Sequence, residues 1–305
     1  MTFERKQASG LTPVNGKSPE HHRDHMGPLL MLSAALLFTC LNMLIKLIGP
    51  RFTIWDIAFY RFVGGILLII LIFRRQRNPF KGHRIRLLVI RGFLGSAAFL
   101  CLISAIRLLP ISTVLVYFYT FPVFAAISAR LLFKESLSRI GLACIPLVVV
   151  GTAVFFEFDP QGGVAGQILA LTGSVFAGIT VSLIKELKAT NDSAVIYLYF
   201  CAMGALVSLP KFLAAPVVPI TAREWVFCIG IVMTALSAQL LMNQGFAHCR
   251  GWEGGILMTS EVIFTALVGI VFLHDPVTWR FWVGGSLIVA SVMVMNIAKM
   301  GGRRR

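Results

Sequence analysis

Apolar residues in this chain run in blocks of about twenty rather than alternating, and short polar or basic stretches punctuate the blocks from residue 28 to residue 298. A helix needs roughly 20 apolar residues to cross the hydrocarbon core of a bilayer. The blocks therefore predict ten spanning helices, near 28 to 48, 54 to 73, 87 to 107, 110 to 130, 140 to 157, 166 to 185, 194 to 213, 224 to 247, 252 to 273 and 279 to 298. Several links are only a few residues long, which makes consecutive helices antiparallel neighbours and leaves no room for a soluble catalytic domain. Residues 1 to 27 are polar, rich in Gly, Pro, Ser and His, and lack an apolar stretch with a cleavage site. They predict a disordered cytoplasmic tail rather than a signal peptide. Residues 299 to 305 form a basic cytoplasmic tail.

The two halves of the chain can be laid over one another. At an offset of about 139 residues, GPLLMLSAALLFTCLNMLIKL at 27 to 47 lies over GQILALTGSVFAGITVSLIKE at 166 to 186, pairing Gly27 with Gly166, Leu30 with Leu169, Leu44 with Leu183 and Lys46 with Lys185. The same register pairs Tyr60 with Tyr199 and Gly65 with Gly204, and near the ends of the fourth and ninth spans Glu135 matches Asp275. This divides the chain into a first repeat, 28 to 157, and a second, 158 to 298. Each repeat holds five spans, an odd number, so the second is expected to be inverted in the membrane. Inverted repeats can exchange conformations and expose one central site to either side in turn. Duplication that only helped to build a stable bundle is the alternative. The fold class is thus all-α integral membrane: ten transmembrane helices as two inverted five-helix repeats.

Charge orients this arrangement. Of the 28 lysines and arginines, 21 fall on one side of the membrane, including seven in 74 to 91, and 6 on the other, with Arg61 inside a span. By the positive-inside rule both termini are cytoplasmic, and the expected location is the plasma (bacterial inner) membrane. A net charge of +15 would suggest nucleic acid for a soluble protein. Here the bases sit at the ends of apolar runs, where they meet anionic lipid headgroups, so membrane lipids are the expected partners and nucleic acid is not. The six cysteines form no CxxC pair and have no histidine at metal-ligand spacing, and His21, His22 and His25 read as part of a solvated tail. Neither a metal nor a cofactor is expected.

Inside the spans, polar residues recur at helical spacing. Thr39, Asn42 and Lys46 lie on adjoining turns of the first span, and Gln239 and Asn243 one turn apart in the eighth. Thr113, Tyr117, Thr120 and Phe124 make a stripe in the fourth span, and Thr265 follows Glu261 by one turn in the ninth. Each residue alone fits interhelical hydrogen bonding as well as a ligand contact. Together they favour a solute path, with Asn42, Arg61, Tyr117, Thr120, Gln239, Asn243 and Glu261 as cavity candidates. Ionisable groups within spans are costly and mark function or internal pairing. Glu261, near mid-membrane, is a candidate for proton coupling, for contact with a cationic or amino group of a substrate, or for a structural hydrogen-bonded acid. Arg61 pairs with helix-end carbonyls or Asp56, or else binds substrate. Pro122 would remove a backbone donor in the middle of the fourth span and kink it as a gate hinge. The second copy has no proline at the matching place, taken as Val262, so the two gates need not bend alike.

FYRFVGGILLI at 59 to 69, the run RGFLGSAAFLCLISAIRLLPISTVLVYFYTFPVFAAISARLLFKESLSRIG at 91 to 141 and its weaker second copy resemble the drug/metabolite transporter superfamily, specifically its ten-helix EamA-type members, over residues 28 to 298. Leu109, Pro110, Tyr119, Thr120, Pro122 and Glu135 match that family's pattern. The resemblance implies a solute carrier, commonly an exporter of amino acids or other metabolites, with a cavity between two four-helix groups and with the fifth and tenth helices peripheral. Glu261 and Val262 stand where the family usually has a proline, and HDP at 274 to 276 replaces its Gly-Glu pair. Nothing resembles the lysine-rich sites of the superfamily's sugar-phosphate carriers. The expectation is a secondary transporter exporting a small organic solute, an amino acid or related metabolite, by alternating access, with a lipid or lipid-linked headgroup flippase of the same fold as the alternative. No GxxxxGK[ST] motif is present for nucleotide, and His83, His248, Cys249 and His274 lack the partners that an intramembrane enzyme would need. A homodimer is a candidate assembly.

Overall fold

A computed structural model describes residues 26–73, 80–109, 111–134, 139–155, 163–273 and 279–302. Twelve helices and no strands occur among the described residues. They are α1 (Met26–Leu47), α2 (Ile54–Phe73), α3 (Ile85–Leu108), α4 (Ile111–Phe118), α5 (Phe121–Phe133), α6 (Arg139–Phe155), α7 (Val164–Lys188), α8 (Ser193–Ala214), α9 (Ala222–Gly245), α10 (Gly251–Met258), α11 (Ser260–Leu273) and α12 (Trp279–Gly302). Each expected block coincides with one helix or, for the fourth and ninth, with two short helices in tandem. Seven helical segments are long and apolar enough to cross a membrane, the fourth of them counted across the α4–α5 turn, and two shorter apolar helices accompany them. Residues 1–25 and 303–305 of the tails, Pro110, His274 and the match of Glu135 with Asp275 lie outside the described residues.

The distribution of side chains inverts that of a water-soluble bundle. Leu29, Leu67, Phe93, Leu131, Ile168, Leu206 and Val226 stand exposed on the perimeter, whereas Thr39, Asp56, Arg61, Arg91, Gln239 and Asn243 are buried. Apolar perimeter and polar interior are what a hydrocarbon solvent selects. The main core gathers Met31 of α1, Phe121 and Ala125 of α5, Ile184 of α7, and Phe246, Ile256 and Leu257 at and beyond the end of α9. Polar clamps close the two ends. At one, Arg51 Nη1 donates to Glu224 Oε1 at 2.7 Å, and Glu224 in turn completes the capping box of Thr221 at the start of α9. At the other, Arg84 pairs with Glu186, and Asn191 bonds the backbone of His83 in both directions.

Glycines show how the halves meet. A Cβ on Gly65 would lie 2.6 Å from the Tyr197 hydroxyl and 2.8 Å from Cys201 Sγ, and one on Gly204 would lie 2.5 Å from the Phe62 ring. Under the 139-residue offset Gly65 maps to Gly204 and Phe62 to Cys201, so the two contacts are the same contact with the halves exchanged. The same holds for Gly27 against His248 and Gly166 against Leu109, at 2.8 and 2.6 Å. Reciprocal pairs of this kind are the residue pattern of a two-fold relation. At the level of helices, α1 packs on α9 as α7 packs on α3, while α2 packs on its own counterpart α8, and α6 on α12.

The fourth and ninth blocks differ from expectation. Pro122 does not kink a continuous helix, because the chain has already turned at Tyr119 and Thr120 and Pro122 sits in the first turn of α5, where a missing N–H is harmless. The Thr120 hydroxyl donates to the carbonyl of Tyr117, three residues back, at 2.6 Å, and its own N–H reaches the same oxygen at 3.2 Å. The second half turns at Thr259, 139 residues on, where hydroxyl and N–H both reach Ile256 O, at 2.5 and 3.1 Å. The shared breaker is a threonine that satisfies an i−3 carbonyl and opens the helical ladder. The structural counterpart of Pro122 is therefore Glu261, and the second break forms without a proline.

Candidate functional site

The candidate residues fall into four groups. The first surrounds Glu261, in the opening turn of α11 just beyond the Thr259 break. Asn42 Nδ2 of α1 donates to its Oε1 at 2.8 Å, and the Tyr119 hydroxyl, in the α4–α5 turn, bonds the same carboxyl group. Thr39 Oγ1 lies 3.4 Å from the Glu261 carbonyl and 3.3 Å from Thr265 Oγ1. Both helix breaks thus deliver a group to one carboxyl: the second places the acid and the first places the phenol. Asn42 and Thr39 of α1 and Glu261 and Thr265 of α11 thus meet in one hydrogen-bonded group.

Tyr117 does not join them. It packs against Ala105, Leu109, Val114 and Ala170, and Tyr119 takes the place by Glu261 instead. The stripe from Thr113 to Phe124 assumes one uninterrupted helix, and the Thr120 break changes its phase. Thr120 itself forms a second group, with its Oγ1 2.8 Å from Ser174 Oγ of α7. Gln239 and Asn243 form a third, bonded to each other at 3.4 Å and, through Asn243 Nδ2, to the Ser193 carbonyl at the start of α8 at 3.3 Å. They tie α9 to α8.

The fourth group holds Arg61 and Arg91, 3% and 1% exposed. Asp56 is not the partner of Arg61: its carboxylate accepts from Thr53 N and Oγ1 at 2.8 and 2.6 Å and from Val217 N at 3.3 Å. Arg61 instead lies 3.8 Å over the Phe99 ring and 5.6 Å from the centre of Phe200, and Arg91 lies 4.5 Å from that same Phe200 ring. The sequence places Arg91 among the loop bases of 74 to 91. In the fold it stands inside α3, because Gly92 and Gly95 beside it let α8 come against this face. Its removal from the loop count leaves the charge asymmetry intact. A basic residue flanked by small residues at i+1 and i+4 is the signal that marks it as packed.

A cleft of about 1060 Å³ opens at the end of the bundle that carries the 81–84 segment, lined by Lys81, His83, Lys188, Asp192, Gln244 and the first turn of α8. No cluster of His, Cys, Asp or Glu able to hold a metal ion occurs among the described residues.

Comparison with known proteins places these observations. The model of the EamA-like transporter family matches the chain twice, over residues 25–156 and 164–297. The chain belongs to the EamA-like transporter family. This EamA-like protein is 27% identical to the pseudopaline exporter CntI of Pseudomonas aeruginosa over 90% of its own length and 97% of that protein. It is 24% identical to human solute carrier family 35 member G1, covering 87% of its own length and 77% of the human chain. A solved crystal structure shares its fold, with a TM-score of 0.76 at 18% identity over 91% of this chain and 98% of that one. The resemblance to the drug/metabolite transporter superfamily is thereby shown, and the protein is a multi-pass membrane transporter of small solutes and not an enzyme.

Proposed function

We propose that this EamA-like transporter is a secondary carrier that exports a small organic solute across the plasma membrane, with ten spans arranged as two inverted five-helix repeats and both termini in the cytoplasm. The observation that carries the reading is the exchange of contacts between halves, Gly65 with Cys201 against Gly204 with Phe62. Halves that make equivalent contacts with each other can exchange conformations, which is what alternating access requires. Export is supported by the name of the relative CntI. Glu261 is the proton-coupling group in this reading: it sits where the two broken helices meet, so its hydrogen bonds to Asn42 and Tyr119 are remade whenever the halves exchange.

Counterflow in proteoliposomes tests the proposal, with a radiolabelled panel of amino acids, organic anions and organic cations. Exchange of at least one class, saturable and absent from protein-free vesicles, is the expected result. No exchange of any panel member by folded protein, together with scrambling of a labelled lipid headgroup, would replace the reading with lipid flipping.

A further inference from the structure

Arg61 and Arg91 are the two buried cations among the described residues, and three of their nitrogens, Arg61 Nε and Arg91 Nε and Nη1, have no hydrogen-bond partner. Ion pairs elsewhere join Arg51 to Glu224, Arg84 to Glu186 and Arg250 to Glu253, and none includes either residue. Their surroundings are aromatic. Phe62, Phe99 and Phe200 offer ring faces, which attract a guanidinium but accept none of its directed N–H groups as a carboxylate does. Two further buried hydroxyls lack a full set of partners. Thr180 Oγ1 has no partner, and the Tyr197 hydroxyl has beside it only the weakly bonding Cys201 thiol. The carboxylate within electrostatic reach of Arg61 is Glu261, which Asn42 and Tyr119 already hold, and the neighbours that act on Arg91 are Arg61, Tyr197 and Cys201.

Guanidinium groups stay protonated in proteins. Two positive charges therefore share one buried place with at most one negative charge in range, and their unfilled donors, one on Arg61 and two on Arg91, are left for an oxyanion to fill. A structural arginine would have been given its acceptors by the fold, as Arg107 is given the Phe52 carbonyl at 2.9 Å. We propose that Arg61 and Arg91 bind the transported solute and that the solute is an organic dianion whose two negative charges are shared between the two guanidinium groups. This rests on the transport reading and narrows its substrate class. The cleft that opens at the N-terminal end of α8, the helix of Tyr197 and Phe200, supports it: Lys81 and Lys188 outnumber Asp192 on its walls, a field that concentrates anions at the mouth.

The test pairs counterflow with thermal unfolding of the purified protein in nanodiscs. The probes are succinate and glutarate as dicarboxylates, glycerol 3-phosphate as a phosphate dianion, succinamide as a neutral isostere, and alanine as a zwitterion. The wild type is expected to exchange one of the dianion types at least tenfold faster than succinamide or alanine and to unfold at higher temperature in its presence. Which dianion type is preferred tells carboxylate from phosphate recognition. R61M and R91M are expected to lose both effects while unfolding, without ligand, at the wild-type temperature or above it, since each removes an uncompensated charge; R91K should keep a weakened response. Exchange of alanine or succinamide in preference to every dianion overturns the dianion site and leaves the transport reading standing. So does dianion exchange that survives both methionine variants. A variant that fails to fold marks its arginine as structural and also overturns the site. Stabilisation by a dianion that depends on both arginines, with no exchange of anything, supports the site and defeats transport.

Discussion

At the scale of single residues, the proposed carrier divides the work between the carboxyl of Glu261 and the two arginines. Glu261→Gln keeps the Asn42 contact sterically and cannot release a proton, so vesicles carrying it should retain counterflow while losing accumulation driven by a pH gradient; equal loss of both would assign Glu261 to substrate binding or structure. Tyr119→Phe removes one bond to the carboxyl, and a buried hydrogen bond to a charged group contributes about 1.5–3 kcal/mol. Its expected effect is a shift in the pH dependence of accumulation together with a fall of a few degrees in unfolding temperature. The sequence shows Glu261 readily, because an acid nine residues into an apolar block has few explanations. It hides Arg91, which stands seven residues from Arg84 and looks like one more positive-inside base. It misplaces Tyr117, because the phase of a helix cannot be read across a break that has not been seen.

The breaks belong to the scale of elements. Threonine is common in these helices, and most instances leave the helix whole: Thr39 and Thr152 bond the i−4 carbonyls of Ala35 and Val148 at 3.2 and 2.8 Å. Thr120 and Thr259 bond i−3 carbonyls instead. Pro122 follows the first break by two residues, but no proline follows Thr259 at that distance, so the length of the apolar blocks points to helical segments while the interruptions within two of them stay hidden. Two contrasting outcomes follow for mutants. Pro122→Ala should change the unfolding temperature little, since the N–H that proline lacks has no intrahelical acceptor in the first turn of α5. The double variant T120V/T259V should slow exchange severalfold with less effect on ligand-induced stabilisation, because a mended helix binds but does not bend; unchanged exchange rates would deny the breaks any part in gating.

For the molecule as a whole, the two-fold relation makes predictions that no single helix makes. Gly65→Leu and Gly204→Leu fill equivalent positions on α2 and α8 and should each destabilise by about 1–3 kcal/mol, the usual range for overpacking, with similar falls in unfolding temperature. Markedly unequal falls would mean that the two crossings are not equivalent. Orientation is checked separately: a fluorescent protein fused after residue 305 should fluoresce, and a periplasmic phosphatase at the same place should be inactive. The buried pair of guanidinium groups reaches further than recognition. A solute that brings two negative charges to Arg61 and Arg91 carries those charges with it when it leaves. Across a membrane that is negative inside, moving them outward is downhill by roughly 4–5 kcal/mol at 100 mV, from about 2.3 kcal/mol per charge. Export of a dianion is then an electric current. A potassium diffusion potential should drive it in Glu261→Gln as well as in the wild type, and the cell's own voltage becomes a second engine of the carrier beside the proton gradient that acts through Glu261.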